Sequence, residues 1–299
     1  LRDQFLVDAR PLNKVSGHPF RIAEIVSAIR GMQRENIAPL TRCVGLLCYS
    51  IGMNQVDAEA AAEKGIPVGN TPFCVDEVSD HALTLLLAAE RRLIPWVQMV
   101  AAGNWDYANA PHKGIHRLKG RTLGIIGTGR IGSEIARKAA PFGYRTLGYD
   151  PWVESMKHGL QKVSLETLMA ESDAIVLAPT LNPTSRNIIN ADTLAMAKPG
   201  VTLVNIARGG LVDESALAAA LQSGRVGYAA LDVRAEEPPN PDNDPLTGSP
   251  NLIGTPHIAG LSVEAQEGLH VMAAEAALVM LRVAGRLSAM SPDTATVAS

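Results

Sequence analysis

Thr122-Leu123-Gly124-Ile125-Ile126-Gly127-Thr128-Gly129-Arg130-Ile131-Gly132 decides how this chain folds. The apolar run Leu123 to Ile126 reads as a buried strand, and the glycine turn Gly127-x-Gly129-x-x-Gly132 follows it directly. A helical pattern comes next, with Ile131, Ile135, Ala136 and Ala139 on one face. Pro141 and Gly143 close that helix. A second strand, Arg145 to Tyr149, ends in Asp150. Each part has a physical task. Gly127 permits a tight turn, Gly129 lets a diphosphate approach the backbone, and Gly132 lets helix pack on strand. The helix N-terminus offers free N–H groups and positive dipole to phosphate, so Gly127, Gly129, Arg130, Ile131 and Gly132 are candidate cofactor contacts. Asp150 stands roughly twenty residues on, where a carboxylate accepts from an adenine-ribose hydroxyl. It would repel a 2′-phosphate, which favours NAD over NADP. The plain alternative is a glycine-rich turn with no ligand; strand, helix and acid in this order weigh against it.

The rest of the composition sets bounds. The 299 residues suffice for two domains and a large core. With 46% hydrophobic and 19% charged residues the chain is an ordinary globular one. A net charge of -3 makes no case for a nucleic-acid or membrane surface. Cys43, Cys48 and Cys74 form no metal-type cluster, and an odd count suits a reducing, cytoplasmic setting. The apolar stretch Ala82 to Ala89 is too short to span a bilayer. No signal peptide is visible, and the first residue is Leu, so the true start is expected upstream.

Strands and helices alternate along the chain. Ile22 to Ala28 reads as a strand, Ile37 to Leu40 as a helix start, and Val44 to Cys48 as a strand. Asp57 caps a helix over Val56 to Lys64, and Ile66 to Val68 is a short strand. A long helix runs from Val75 to Arg92 with Val78, Leu83, Leu86 and Leu87 on its apolar face. Another follows to Gly103, then a loop over Asn104 to Lys119. Beyond Asp150, Ser164, Asn190 and Asp213 cap helices. Ala174–Leu177, Val201–Asn205, Tyr228–Leu231 and Leu252–Thr255 are strands, and a last helix covers Val263 to Val283. Such alternation predicts an α/β fold, a doubly wound parallel sheet with helices on both faces. The final helix has no place in that sheet. The expected domains are therefore a smaller α/β one, 1–92 with 263–299, and a dinucleotide-binding one, 93–262.

Ligands of an open parallel sheet bind beyond the carboxyl ends of its strands. Arg208 follows Val201–Asn205, Asp232 and Glu237 follow Tyr228–Leu231, and His257 follows Leu252–Thr255. Topology thus brings an Arg, a Glu and a His to one edge. A guanidinium fork grips a carboxylate and polarises the neighbouring carbonyl. Histidine gives or takes a proton near neutral pH, and a carboxylate beside it fixes the tautomer and favours the imidazolium. With a hydride carrier, this set suits 2-hydroxy acid to 2-keto acid conversion. Each group has a plainer reading: a surface arginine in a glycine-flanked turn, a solvated glutamate before Pro-Pro, a structural histidine at a strand end. All three falling on one edge weakens those readings. His81, within a helix, reads instead as a packing or capping group, and His112 and His116 have no carboxylate close in sequence.

Ser50-Ile51-Gly52, Gly127 to Gly132, Asn205-Ile206-Ala207-Arg208-Gly209-Gly210, Ala230-Leu231-Asp232-Val233 through Glu237-Pro238, and Pro256-His257 together resemble the D-isomer-specific 2-hydroxyacid dehydrogenase family. Cys74 to His81 and Leu118 to Gly124 are most similar to its C-terminal-binding-protein branch, with phosphoglycerate dehydrogenases also similar. The resemblance implies a Rossmann-type NAD domain beside a flavodoxin-like substrate domain. It implies that Arg208 binds the substrate carboxylate and carbonyl, that His257 is the acid/base, and that Glu237, rather than Glu236, is its partner. Asp232 would hold the nicotinamide carboxamide. Ile51 and Gly52 would offer backbone groups to the substrate carboxylate, while Thr71, Thr180 and Ala207 would line the cofactor. A homodimer joined through Asn104–Lys119 is implied too. Ser50 stands where the family has glycine, Asn54 where it has an acid, and Ala178-Pro179-Thr180 where His-x-Pro-Leu is usual. The segment before Val44 is shorter than the family's first strand-helix-strand unit, so a substrate domain truncated at its N-terminus is expected.

The leading expectation is an NAD-dependent enzyme acting on a small 2-hydroxy or 2-keto acid in a cleft that closes on substrate. The rival is an NAD(H)-sensing, corepressor-like binding protein with little turnover. The intact Arg, Glu and His favour the enzyme.

Overall fold

The computed structural model describes residues 25–28, 32–53, 56–106 and 114–285. These group into two compact units, one spanning Cys74–Ser262 and the other drawn from Leu1–Phe73 and Val263–Ser299.

In the second of these, β1 (Ile25–Ala28), α1 (Arg34–Ile37), β2 (Gly45–Cys48), α2 (Ala58–Glu63) and β3 (Val68–Asn70) alternate. The strands form a parallel sheet in the order β1-β2-β3. Asp57 caps α2, its carboxylate accepting from Ala60 N at 2.8 Å. Met32, Ile37, Leu46, Cys48 and Ala61 of α2 are buried in one cluster. The first helix lies earlier than its sequence suggested. Gln33 opens it, its own N–H donating to Asn36 Oδ1 at 3.2 Å. It stops at Ile37 because Pro39 has no N–H to continue the ladder. Ile22 to Glu24 and Asn54 lie outside the described residues.

The unit Cys74–Ser262 starts with α3 (Val75–Glu90) and α4 (Leu93–Ala101). It then alternates β4 (Thr122–Ile126), α5 (Arg130–Ala139), β5 (Arg145–Tyr149), β6 (Gln161–Lys162), α6 (Leu165–Glu171), β7 (Ala174–Leu177), α7 (Ala191–Met196), β8 (Val201–Asn205), α8 (Glu214–Gln222), β9 (Val226–Leu231) and β10 (Leu252–Gly254). All seven strands are parallel, in the order β10-β9-β8-β7-β4-β5-β6. Chain order reverses between β4 and β7, the crevice where such sheets bind ligands. β4, β7 and β8 are buried along their whole length, as expected of strands covered on both faces. Ile126, Leu168, Ile175, Leu177, Leu203 and Leu217 belong to one continuous core. Ser164, Asn190 and Asp213 each accept from first-turn N–H groups. The two-residue β6 had no sequence signal, being short and exposed.

The expected division at residues 92/93 is corrected. The units part between Phe73 and Cys74, because α3 belongs with the seven-stranded sheet. Ala82 and Leu86 of α3 are fully buried. Lys138 on α5 reaches Asp80 Oδ1 at 2.7 Å and Ser79 Oγ at 2.8 Å. Glu90, near the end of α3, is buried against Thr202 Oγ1 of β8 at 2.6 Å and ion-paired to Arg121 at 2.9 Å. The helix stops at Glu90 rather than Arg92, where the chain turns through a positive φ of 53°. Arg92 then stacks 4.6 Å over the Tyr228 ring.

The other unit also contains α9 (Val263–Val283). It lies along β2 and β1, and Met280 comes so close to β3 that a methyl group on Gly69 would sit 2.6 Å from its Cε.

Candidate active site

The glycine turn joins β4 to α5 and does what its spacing asks. Gly127 has φ 85°, and a Cβ there would sit 2.4 Å from Pro179 N. A Cβ on Gly132 would lie 2.0 Å from the Gly127 carbonyl oxygen. Gly129 differs: a Cβ there would meet nothing within 4 Å. This residue opens α5 and supplies no side-chain cap, so the first-turn N–H groups adjoin open space. Beside them the Thr128 hydroxyl is buried without a hydrogen-bond partner. Arg130 and Ile131 form the first helical turn, exposed and half-buried. Asp150, at the end of β5, accepts from Thr128 N at 2.9 Å and Trp152 N at 3.0 Å. Each carboxylate oxygen has a further lone pair for a ribose hydroxyl. An open backbone cradle, a helix N-terminus and a fixed acid fit a dinucleotide with an unphosphorylated ribose.

The remaining expected cofactor contacts are dispersed. Thr180 is exposed, and its carbonyl accepts from Ser185 Oγ at 2.7 Å. Ala207 donates to Asn205 Oδ1 at 3.0 Å. Thr71 belongs to the other unit, where its buried hydroxyl donates to Cys48 O at 3.0 Å. Ile51 and Gly52 lie in that unit too. The Ile51 carbonyl accepts from Asn70 Nδ2 and the Gly52 carbonyl from Ser50 Oγ, both at 2.6 Å. Serine at position 50 thus takes up a carbonyl that a glycine there could not reach.

Three groups follow β8, β9 and β10. Asn205 ends β8 and folds the next loop on itself, its Nδ2 donating to Arg208 O at 2.9 Å. The Arg208 guanidinium is half-buried and donates to Ala207 O at 2.6 Å. Burial pushes its pKa down, while Glu237 and Cys74 nearby push it up. It remains a cation, since arginine titrates far above neutrality. Glu237 Oε2 lies 2.7 Å from His257 Nδ1. With Nδ1 taken by the carboxylate, Nε2 is the ring atom left for proton exchange.

His257 sits on a turn at φ 56°, a conformation that needs support. Asp232 supplies it. Its carbonyl accepts from His257 N at 2.8 Å. Its carboxylate accepts from Thr255 Oγ1 at 2.6 Å, Ile258 N at 2.9 Å and Ala259 N at 2.9 Å. Asp232 is therefore a buried anchor of the histidine turn. His81 completes the cluster, with Nε2 3.1 Å from Thr255 Oγ1 and 3.4 Å from Asp232 Oδ1. The Thr255 proton goes to Asp232, so His81 Nε2 is the donor. His81, expected as a packing or capping group, thus makes a polar tertiary contact. Nothing local signals it, since Thr255 is 174 positions away. His112 lies outside the described residues.

The chain is similar to known proteins. Residues 83–259 match the model of the D-isomer specific 2-hydroxyacid dehydrogenase NAD binding domain. A hydroxypyruvate reductase of Thermotoga maritima is 39% identical over 218 residues, 72% of this chain and 70% of that protein. A D-3-phosphoglycerate dehydrogenase of Methanocaldococcus jannaschii is 40% identical over 239 residues, 78% of this chain and 44% of its own length. The chain spans less than half the length of the phosphoglycerate dehydrogenases it matches. A D-lactate dehydrogenase from Aquifex aeolicus, solved with NAD and lactic acid, superposes with a TM-score of 0.81 at 28% identity, covering 92% of this chain and 87% of that one. With its glycine turn, its reversed strand order and this match across most of the seven-stranded unit, the chain belongs to the D-isomer specific 2-hydroxyacid dehydrogenase family, and residues 83–259 are its NAD-binding domain.

Proposed function

We propose that this protein is an NAD-dependent oxidoreductase that interconverts a small D-2-hydroxy acid and its 2-keto acid. The observation that carries the reading is the 2.7 Å contact between Glu237 and His257 Nδ1, with Arg208 close enough to feel the same carboxylate. When bound, the nicotinamide supplies or receives the hydride. Arg208 binds the substrate carboxylate as a fork and polarises the adjacent C2 carbonyl. His257 Nε2 donates a proton to the carbonyl oxygen during reduction and takes it back during oxidation. Glu237 holds the ring in that tautomer and offsets the positive charge it carries. Asp232 serves the nicotinamide end by fixing the turn.

The names of the relatives suggest the substrate class. Hydroxypyruvate reductase, glycerate dehydrogenase and glyoxylate reductase all act on short 2-oxygenated acids. The test is NADH consumption with glyoxylate, hydroxypyruvate and pyruvate. Turnover abolished by His257→Ala supports the reading. NADH binding without turnover on any of them would overturn it in favour of an NAD(H)-sensing protein.

The proposal extends to a homodimer in a reducing, cytoplasmic setting. No described helix is long and apolar enough to cross a membrane. Helix α4 buries none of its residues, and Leu93, Val97, Val100 and nearby Trp105 are exposed. Apolar side chains left exposed along one helix suit an interface between copies.

A further inference from the structure

The Glu237–His257 contact does not hold itself in place. The two side chains are 38% and 48% exposed, and an exposed ion pair contributes only about 0–1 kcal/mol. Ordering a glutamate side chain costs up to about 2 kcal/mol. Something else must fix the carboxylate, and the structure shows what does. Glu237 Oε1 accepts from the Arg234 backbone N–H at 3.0 Å, so the carboxylate bridges that N–H and the imidazole. The Arg234 side chain faces away into a clamp of its own. Its Nε and Nη2 meet the two oxygens of Glu214 at 3.0 and 3.1 Å, and Nη2 also meets Asp244 Oδ1. Glu214 Oε1 accepts in addition from Ala235 N at 2.9 Å. These three side chains are only 15%, 10% and 10% exposed. The bidentate geometry is the strong, orienting form of the arginine–carboxylate contact. The same residue touches the loop after β8: a Cβ on Gly209, directly after Arg208, would lie 1.9 Å from Arg234 C.

We propose that Arg234 is a positioning residue, and that its clamp on Glu214 and Asp244 sets the 234–237 turn that presents Glu237 to His257. This rests on the dehydrogenase reading above. A guanidinium held at three points by α8 and the 242–246 segment fixes the peptide N–H that in turn fixes Glu237 Oε1. Without the clamp the carboxylate can turn to solvent, and the imidazole loses its tautomer and its countercharge.

The experiment is a double-mutant cycle on the full chain with Arg234→Gln, Glu237→Gln and both together, measured in NADH-dependent reduction of the best 2-keto acid. Arg234→Gln is expected to lower kcat by roughly 10- to 100-fold, a share of what a positioned acid/base contributes. In the Glu237→Gln background it should change kcat by less than about threefold, because it has no carboxylate left to place. The NADH dissociation constant, read by fluorescence, should stay within about threefold. Proton NMR should show the low-field Nδ1–H resonance of His257 in the wild type and its loss in Arg234→Gln. Equal fold-losses in both backgrounds, or an Nδ1–H resonance unchanged in Arg234→Gln, overturns the proposal. Should Arg234→Gln not fold, Glu214→Gln carries the same comparisons with a milder change. If the wild type reduces no 2-keto acid, the dehydrogenase reading fails, and the NMR comparison still decides the clamp.

Discussion

Arg208 spends desolvation free energy to keep a cation beside the glutamate–histidine pair, and burial is the main influence on its pKa. In the proposed reaction that cation grips the substrate carboxylate. Arg208→Ala should therefore cost on the order of 3 kcal/mol in kcat/KM, or about a hundredfold or more, with NADH binding retained. Near-normal turnover on the best substrate would remove Arg208 from the mechanism. Cys74 lies close by and behaves oppositely. Burial, with Glu77 adding to it, pushes its thiol from 9.0 up to about 11. The folded protein thus holds this proton more tightly than the unfolded chain. The stability this contributes is whole below pH 9 and fades as pH rises through about 11. At pH 8 only about one thiol in a thousand would be ionised. Cys74 should resist iodoacetamide in the native state and react once denatured, as peptide mass spectrometry would report. Rapid native alkylation at that position would contradict the burial argument.

Among the elements, the turn into α5 separates two roles that one glycine motif carries. A methyl on Gly132 has nowhere to go, 2.0 Å from the Gly127 carbonyl, whereas one on Gly129 meets nothing. Gly132→Ala should lower stability by about 1–3 kcal/mol through overpacking, seen as a lower Tm. Gly129→Ala should leave Tm unchanged and weaken NADH binding, because the added methyl enters the space a diphosphate needs. The reverse pattern would mean the glycines serve other ends. Elements whose ends rest on local chemistry were legible from sequence. Asp57, Ser164, Asn190 and Asp213 cap through residues two or three positions on, so a short window holds both partners. The end of α3 was not legible, because Arg92 leaves the helix to stack on Tyr228, far along the chain.

On the scale of the whole molecule, the dimer proposal makes α4 the decisive surface. Val97→Asp should convert a dimer to monomer in light scattering and leave the melting transition of the monomer intact, since Val97 is 56% exposed. A monomeric wild type would end that proposal. The division of the chain shows where sequence reading stops. Alternating strands and helices marked a parallel α/β fold, and the glycine turn with Asp150 marked the dinucleotide site, because both signals lie within one βαβ unit where spacing dictates geometry. Packing alone assigned α3 to the seven-stranded unit, through a buried Glu90 and the reach of Lys138. Packing also drew His81 to Thr255 and built the Arg234 clamp. What the sequence determined by itself was the pattern of elements and the identity of the groups at the sheet edge. Tertiary structure alone decided which of those groups hold one another, because a hydrogen bond across twenty to more than a hundred positions depends on where whole elements pack, and residue spacing carries no record of that.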